Sequence, residues 1–214
     1  VAPGAELAFR TGFVSAGDFA AGIQELVTAN CDIIVDDITY ITEPFFQDGV
    51  VAKSANKADS LGALYFTAAG NFGSKSYAGT FTPSTSDPSL HDFGGNDVLQ
   101  EVALLPGNYT IVLQWEEPIY SIGQSGALTD LDIYLVDNNG VELFGFNRDN
   151  SGADPLEVLS FAVTDTTTAN IKIVKASGNN VFFKYIAFRG ELTVNEHVAG
   201  QSTIVGQANA EGAI

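Results

Sequence analysis

The sequence predicts an α/β unit interrupted by an all-β unit, because two different hydrophobic patterns divide the chain. Residues 1–78 alternate between short apolar runs and segments with helical spacing, which is typical of a parallel sheet with crossover helices. After residue 98 apolar and polar residues alternate in short runs separated by turns, which is typical of an antiparallel β-sandwich. We therefore predict a partial parallel-sheet domain over residues 1–78 and 198–214. An antiparallel, jelly-roll-like β-sandwich is inserted over residues 79–197.

The first domain is predicted to combine buried strands with helices. Ser15 stands three residues before Asp18, a spacing that favours a capped helix start. The predicted helices are 15–29 and 46–60, and the predicted strands are 6–10, 32–35 and 63–67. Near the chain end, residues 202–210 would form a short helix, and Ala213-Ile214 would begin a strand that returns to the first sheet.

The second domain is predicted to be built from seven or eight strands. Asp137-Asn138-Asn139-Gly140 is a hairpin turn between two of them. The strands that the alternation defines are 109–115, 131–136, 141–146, 157–163, 169–175 and 181–188. Residues 80–95 are rich in Ser, Thr, Pro, Gly and Asp without a sustained period, which predicts a linker or surface loop.

The composition limits the partners that the chain would bind. It has 9 Lys and Arg against 26 Asp and Glu, a net charge of −17. That charge would repel the phosphates of nucleic acids and of anionic membranes. The single cysteine, Cys31, excludes an internal disulfide and is expected to be a small buried residue. The sequence starts at Val1 without a start methionine or a signal sequence, so we expect a piece of a longer protein.

The segment from Gly62 to Asn71 is the candidate functional stretch of the first domain. An apolar run is closed by the small residues Ala68, Ala69 and Gly70 and then by Asn71. An asparagine amide at the carboxyl end of a buried strand supplies two uncharged donors, which suits the stabilisation of an oxyanion. A plain Gly-Asn turn is the alternative.

Several segments resemble those of the subtilisin-like serine peptidases. The segment Asp32-Ile33-Ile34-Val35-Asp36-Asp37 is similar to a strand that the family writes as Asp, Val, Ile, Asn, a variable residue and Ser. The segment from Gly62 to Asn71 is similar to the strand that ends in Ala-Ala-Gly-Asn. Val1 to Leu7 resembles the segment after the catalytic histidine helix, and Gly212-Ala213-Ile214 resembles the start of a later strand.

This resemblance implies roles for residues at the two strand ends. Asn71 would be the side-chain donor of the oxyanion hole, and Ala68, Ala69 and Gly70 would line the substrate pocket. Ile38, Thr39 and Tyr40 would form the opposite substrate-binding edge. Where the family has Ser-Leu-Gly-Gly, this chain has Asp37-Ile38-Thr39-Tyr40. The carboxylate and the tyrosine would change the charge and width of the pocket.

The resemblance also implies that the catalytic Asp, His and Ser lie outside these residues. His91 and His197 lack the Gly-Thr-His context of the family, and both are expected to be exposed. A Ser-His-Asp triad needs its three groups within hydrogen-bond reach. The piece alone would therefore be inactive.

The inserted domain resembles the pre-peptidase C-terminal domains of secreted bacterial peptidases, through the stretch from Thr129 to Asp137. Asp130, Asp132 and Asp137 are weak candidates for Ca²⁺ ligands, since Ca²⁺ prefers oxygen ligands. Strand alternation points Asp137 to the opposite face, so a solvated acidic face is the alternative. Trp115, Tyr120 and Phe182 would either hold a partner or belong to the core.

Two functions follow as hypotheses. The first is a fragment of a secreted or cell-surface serine endopeptidase that acts on polypeptides. The second is a non-catalytic binding or adhesion module, whose β-sandwich holds a protein or a polysaccharide. Strand edges left unpaired by the incomplete sheet would allow a homodimer.

Overall fold

The computed structural model describes residues 3–197 and 203–214. The chain forms two compact units, Val1–Gly70 with Ile204–Ile214 and Asn71–Thr203. The first unit is mixed α/β, and the second is built from antiparallel sheets. The boundaries thus lie at residues 70 and 204, whereas the sequence prediction placed them at 78 and 198, because the strand after Asn71 pairs within the second unit.

The first unit is a small parallel sheet with two helices in its described part: α1 (Ala16–Thr28), β1 (Ile33–Val35), α2 (Val50–Ser60) and β2 (Leu64–Phe66). Strands β1 and β2 run parallel, with Ile34 opposite Tyr65. Both of these side chains are buried in a core that the helices share. The predicted parallel pairing of the two segments is therefore confirmed, although the sheet is small.

The cap of helix α1 forms as the sequence predicts. Ser15 has an extended backbone, and its hydroxyl accepts a hydrogen bond from the Asp18 N–H at 3.1 Å. This bond satisfies one of the amide groups that have no partner inside the helix. Helix α2 starts at Val50 after an N-cap glycine, four residues later than predicted.

The chain end returns to the same sheet. Ala213 forms a parallel bridge with Tyr65, and the Ile214 N–H donates to the Tyr65 carbonyl at 2.9 Å. The predicted helix over 202–210 is a short 3-10 helix, Gly206–Asn209, and residue 202 lies outside the described residues. The predicted strand over 6–10 is wrong, because Leu7 and Phe9 are exposed and the segment has no strand partner in the described part of the chain.

The second unit is a two-layer antiparallel sandwich. Its four-stranded sheet has the order β3-β10-β5-β8, and its five-stranded sheet has the order β11-β4-β9-β6-β7. The bounds are β3 Ser76–Thr80, β4 Gln100–Leu104, β5 Gly107–Trp115, β6 Asp130–Val136, β7 Glu142–Phe146, β8 Leu156–Val163, β9 Thr167–Ser177, β10 Phe182–Arg189 and β11 Leu192–Val194. The sandwich therefore has nine strands in the described residues, where seven or eight were predicted.

The core of the sandwich lies between its two sheets. On β5, Tyr109, Ile111, Leu113 and Trp115 are buried in one cluster with alternate residues of β6, which are Leu131, Ile133 and Leu135. Because side chains alternate across a strand, one face of each sheet carries this cluster. Trp115 is therefore a core residue and not a surface anchor.

The predicted surface loop over 80–95 is partly wrong. Phe81, His91 and Phe93 are buried in the sandwich, and the His91 N–H donates to the Ile173 carbonyl at 3.0 Å. The segment therefore contributes side chains to the core and bonds to β9. None of the described helices is both long and apolar enough to cross a membrane.

Candidate functional site

The carboxyl ends of β1 and β2 lie side by side. The Asp36 N–H donates to the Phe66 carbonyl at 3.0 Å, which continues the ladder by one residue. Ligands of parallel sheets bind beyond such strand ends. The residues predicted for a substrate cleft, 37–40 and 68–70, thus leave neighbouring strands at the same edge.

Gly70 and Asn71 have the local features that the sequence predicts for a donor at a strand end. Gly70 has a φ of 81°, a backbone conformation that glycine adopts without strain. Asn71 is exposed, as are Ala68 and Ala69. The amide of Asn71 is therefore accessible to a ligand.

Asp36 holds the end of β1 in place. One of its carboxylate oxygens accepts from the Thr67 hydroxyl at 2.9 Å and from the Gln207 amide at 3.2 Å. The other accepts from the buried Tyr65 hydroxyl. Burial and the charge of Asp36 raise the pKa of Tyr65, so the phenol stays a donor. These bonds tie β1, β2 and the returning chain end together.

The predicted substrate-binding edge is partly occupied by contacts within its own unit. The Tyr40 hydroxyl donates to the Gly12 carbonyl, and its ring lies 5.7 Å from the Phe19 ring. Ile38 packs against the same core, and Gln207 donates to its carbonyl. Asp37 is exposed and Thr39 is half-buried. A role for 37–40 in substrate binding stays a prediction.

The expectation that His91 is exposed is wrong. His91 is only 1% exposed. Its Nδ1 accepts from the Thr82 N–H at 3.0 Å, and its Nε2 lies 3.1 Å from the Tyr77 hydroxyl. Burial lowers the pKa of His91 to about 4. His91 is therefore a neutral core side chain with both nitrogens engaged.

His197 is half-buried and not fully exposed as predicted. Its Nε2 lies 3.1 Å from a carboxylate oxygen of Asp97. Together with Glu196 these residues form the group of His, Cys, Asp and Glu ligand atoms within 4.8 Å of one another in the described chain. The Glu196 carboxylate also accepts from the Glu101 N–H at 2.7 Å. Hydrogen bonds within the protein thus explain why these three side chains lie close together.

The structure separates the predicted calcium ligands. Asp130 and Asp132, on β6, are 8% and 6% exposed, so a solvated acidic face is excluded for them. Asp137 follows the far end of β6, roughly 16 Å along a strand from Asp132. Its carboxylate accepts from the N–H groups of Asn139 and Val141, both at 2.8 Å, and so closes the predicted turn.

Two residues that sequence reasoning missed accompany Asp130 and Asp132. Glu157, on β8, is fully buried, and neither of its carboxylate oxygens has a hydrogen-bond partner among the described residues. Asn150 is also fully buried, and its N–H donates to Asp130 at 3.2 Å. Glu157 shares the inward phase of β8 with Leu159 and Phe161. A charged residue in the same alternation as these apolar residues was the signal in the sequence that Glu157 is buried.

Comparisons with known proteins give no family for this chain. No protein-family model and no curated protein matches the sequence. Among solved structures, the chain is similar to the Clostridium perfringens CspB protease, with 11% identity and a TM-score of 0.44. That match covers 95% of this chain and 52% of the protease, so the chain spans about half the length of that structure.

Two further structures match with lower TM-scores and cover less of this chain. One is an arabinose-bound α-L-arabinofuranosidase, with 12% identity, a TM-score of 0.26, and coverage of 59% of this chain and 23% of the other. The second is the VP2 subviral particle of infectious bursal disease virus, with 13% identity, a TM-score of 0.21, and coverage of 62% and 33%. Similarities this low assign neither a family nor an activity.

Proposed function

We propose that this chain is part of a secreted subtilisin-like serine endopeptidase and supplies its oxyanion-hole asparagine, Asn71. The observation that carries the proposal is the parallel pairing of β1 with β2. It brings the strand that leads to Asp37 beside the strand that leads to Gly70 and Asn71. The order of the subtilisin-like segments along the sequence is compatible with this parallel pairing.

An exposed sheet face supports the proposal that more chain completes the first unit. Ile33, Val35 and Leu64 share the face opposite the helices, and they are 59%, 70% and 45% exposed. Parallel sheets are normally covered on both faces. In the proposed endopeptidase, further strands and helices bury these side chains.

In this function Asn71 acts on the transition state. Its amide donates to the oxygen that becomes negative when a nucleophile attacks the scissile carbonyl. The sequence contains neither Gly-Thr-His nor Gly-Thr-Ser, so the triad comes from other parts of the endopeptidase. The polypeptide substrate lies along residues 37–40 and 68–70.

The test is a kinetic comparison in the longer protein that contains this segment. We expect casein cleavage that a serine-directed inhibitor abolishes. Asn71→Ala should lower kcat by about 10²- to 10³-fold, the loss known for the matching donor of a subtilisin, with little change in KM. Asn108→Ala, at an exposed position on β5, is the matched control and should be neutral. Cleavage that is unaffected by Asn71→Ala contradicts the proposal.

A second candidate is a non-catalytic binding module, and strand β7 favours it. Every residue of β7 is exposed, including Phe144 and Phe146 at the edge of the five-stranded sheet. Such an edge accepts an added strand of a protein partner. If the longer protein lacks a triad and Phe146→Ser abolishes its binding while Asn71→Ala does not, this second function replaces the first.

A further inference from the structure

Four buried oxygen-bearing side chains lie on β6, on β8 and in the connection between β7 and β8. Asp130 and Asp132 lie on β6, Asn150 lies in the connection, and Glu157 lies at the start of β8. The Asn150 N–H donates to one oxygen of Asp130 at 3.2 Å. The Asn150 side-chain amide also donates to the carbonyl of Leu156, next to Glu157, at 3.1 Å, so Asn150 links Asp130 to the start of β8.

The buried oxygens of this group lack protein partners. Both oxygens of Glu157, one oxygen of Asp132 and the side-chain oxygen of Asn150 are buried without a hydrogen bond among the described residues. The Asn150 amide nitrogen donates to the carbonyls of Asp154 and Leu156, at 2.6 and 3.1 Å, which fixes the opposite orientation of its oxygen. An unpaired buried carboxylate is strongly destabilising unless a cation or a proton neutralises it.

The surrounding charges do not neutralise the group. Arg148 acts on Glu157 through its charge and its backbone N–H, but the residue is exposed. Asp149 and Glu142 add negative charge beside the aspartates.

We propose that the β-sandwich binds one Ca²⁺ ion through Asp130, Asp132, Asn150 and Glu157. The donor set is entirely oxygen, from carboxylates and one amide, which suits a hard cation. Ca²⁺ accepts six to eight oxygens in irregular arrangements, and Mg²⁺ demands a near-ideal octahedron at shorter distances. Zinc is disfavoured because no histidine or cysteine belongs to the set.

Ion binding draws the ligands closer together. The carboxyl oxygens of this group are spread more widely than those of the trio at His197, whose ligand atoms lie within 4.8 Å of one another. Like charges repel and hold the side chains apart.

The experiment is a calcium titration of the 214-residue protein at pH 8.5, after treatment with EDTA. Calorimetry should show one Ca²⁺ ion per chain. The melting temperature of the sandwich should rise by roughly 8 °C at about 100-fold excess over Kd. Glu157→Gln preserves the shape of the side chain and should weaken Ca²⁺ binding by at least about 10-fold.

Asp137→Asn is the matched control, because it removes a carboxylate just beyond the far end of β6, outside the proposed site. It should leave the calcium affinity unchanged. In EDTA, the Glu157→Gln variant should melt at or above the melting temperature of the unsubstituted protein. This measurement shows that the variant folds, so that a loss of calcium binding is not mistaken for misfolding. The proposal is overturned if the unsubstituted protein shows neither heat nor a melting shift with Ca²⁺, or if Asp137→Asn weakens binding as strongly as Glu157→Gln.

Discussion

At the scale of single residues, His91 couples folding to pH. The ring is buried among aromatic side chains, with the rings of Phe93 and Phe183 4.7 and 4.9 Å from it. A positive charge there would lose its hydration, and the nearby charge of Asp92 offsets only part of that loss. The folded state therefore keeps His91 neutral, and its pKa falls to about 4.

The sign of the resulting pH effect follows from linkage. The unfolded chain binds a proton at His91 near pH 6.5, and the folded chain does so only near pH 4. The stabilisation is present above pH 6.5 and is lost as the pH falls toward 4. We expect the unfolding free energy to drop by about 3 kcal/mol over this range relative to His91→Asn.

Urea unfolding at a series of pH values measures this difference. Because other acidic groups titrate in the same range, the quantity to compare is the gap between the His91→Asn variant and the unsubstituted protein. His197→Asn serves as the control and should retain the loss that His91 causes. A gap that stays constant from pH 7 to pH 4 contradicts the assignment of His91 as a neutral core group.

At the scale of secondary-structure elements, the long strands of the sandwich were predictable from alternation. The prediction over 109–115 differs from β5 by two residues at its start, and that over 157–163 differs from β8 by one. Both strands keep one apolar face through several residues, and turn residues bound them. Strand β11 has three residues, too few for alternation to define it, and β3, Ser76–Thr80, has no alternation of apolar and polar residues.

The candidate site was predictable only in part, because burial depends on tertiary contacts. The small residues before Asn71 and the phase of β1 were visible in the sequence, so the adjacent strand ends could be predicted. Glu157 was not identified, although it occupies an inward position, because the other sheet that buries it is distant in sequence. His91 was missed for a similar reason, since Ile173 of β9 anchors its backbone.

Tyr185 and Gln100 join the two sheets of the sandwich. Tyr185 lies on β10, and its buried hydroxyl donates to the side-chain oxygen of Gln100 on β4 at 2.5 Å. Tyr185→Phe leaves that oxygen buried without this donor, so we expect a loss of about 2 kcal/mol in unfolding free energy. Urea denaturation measures it.

Tyr120→Phe is the control for this substitution. Tyr120 is 65% exposed in a short 3-10 helix, so removal of its hydroxyl should change the unfolding free energy by less than about 0.5 kcal/mol. Equal effects of the two substitutions would show that the bond between β10 and β4 contributes nothing specific to stability.

At the scale of the whole molecule, net charge and exposed apolar surface oppose each other. The charge of −17 repels two copies of the chain. The exposed face of β1 and β2, formed by Ile33, Val35 and Leu64, favours association. Salt screens the repulsion and leaves the apolar attraction in place, so self-association should depend on ionic strength.

We therefore expect the isolated chain to dimerise through this sheet face, and more strongly as salt rises. Sedimentation at high protein concentration should show more dimer at about 0.5 M than at about 0.05 M NaCl, because the Debye length shortens. Replacing Ile33 and Val35 with Thr keeps β-branching and should weaken the dimer by at least about 10-fold. Leu128→Thr, at a 69% exposed position of the sandwich, should not. Sedimentation that shows only monomer at every salt concentration contradicts the expectation. It would mean that no apolar attraction remains once salt has screened the charge repulsion.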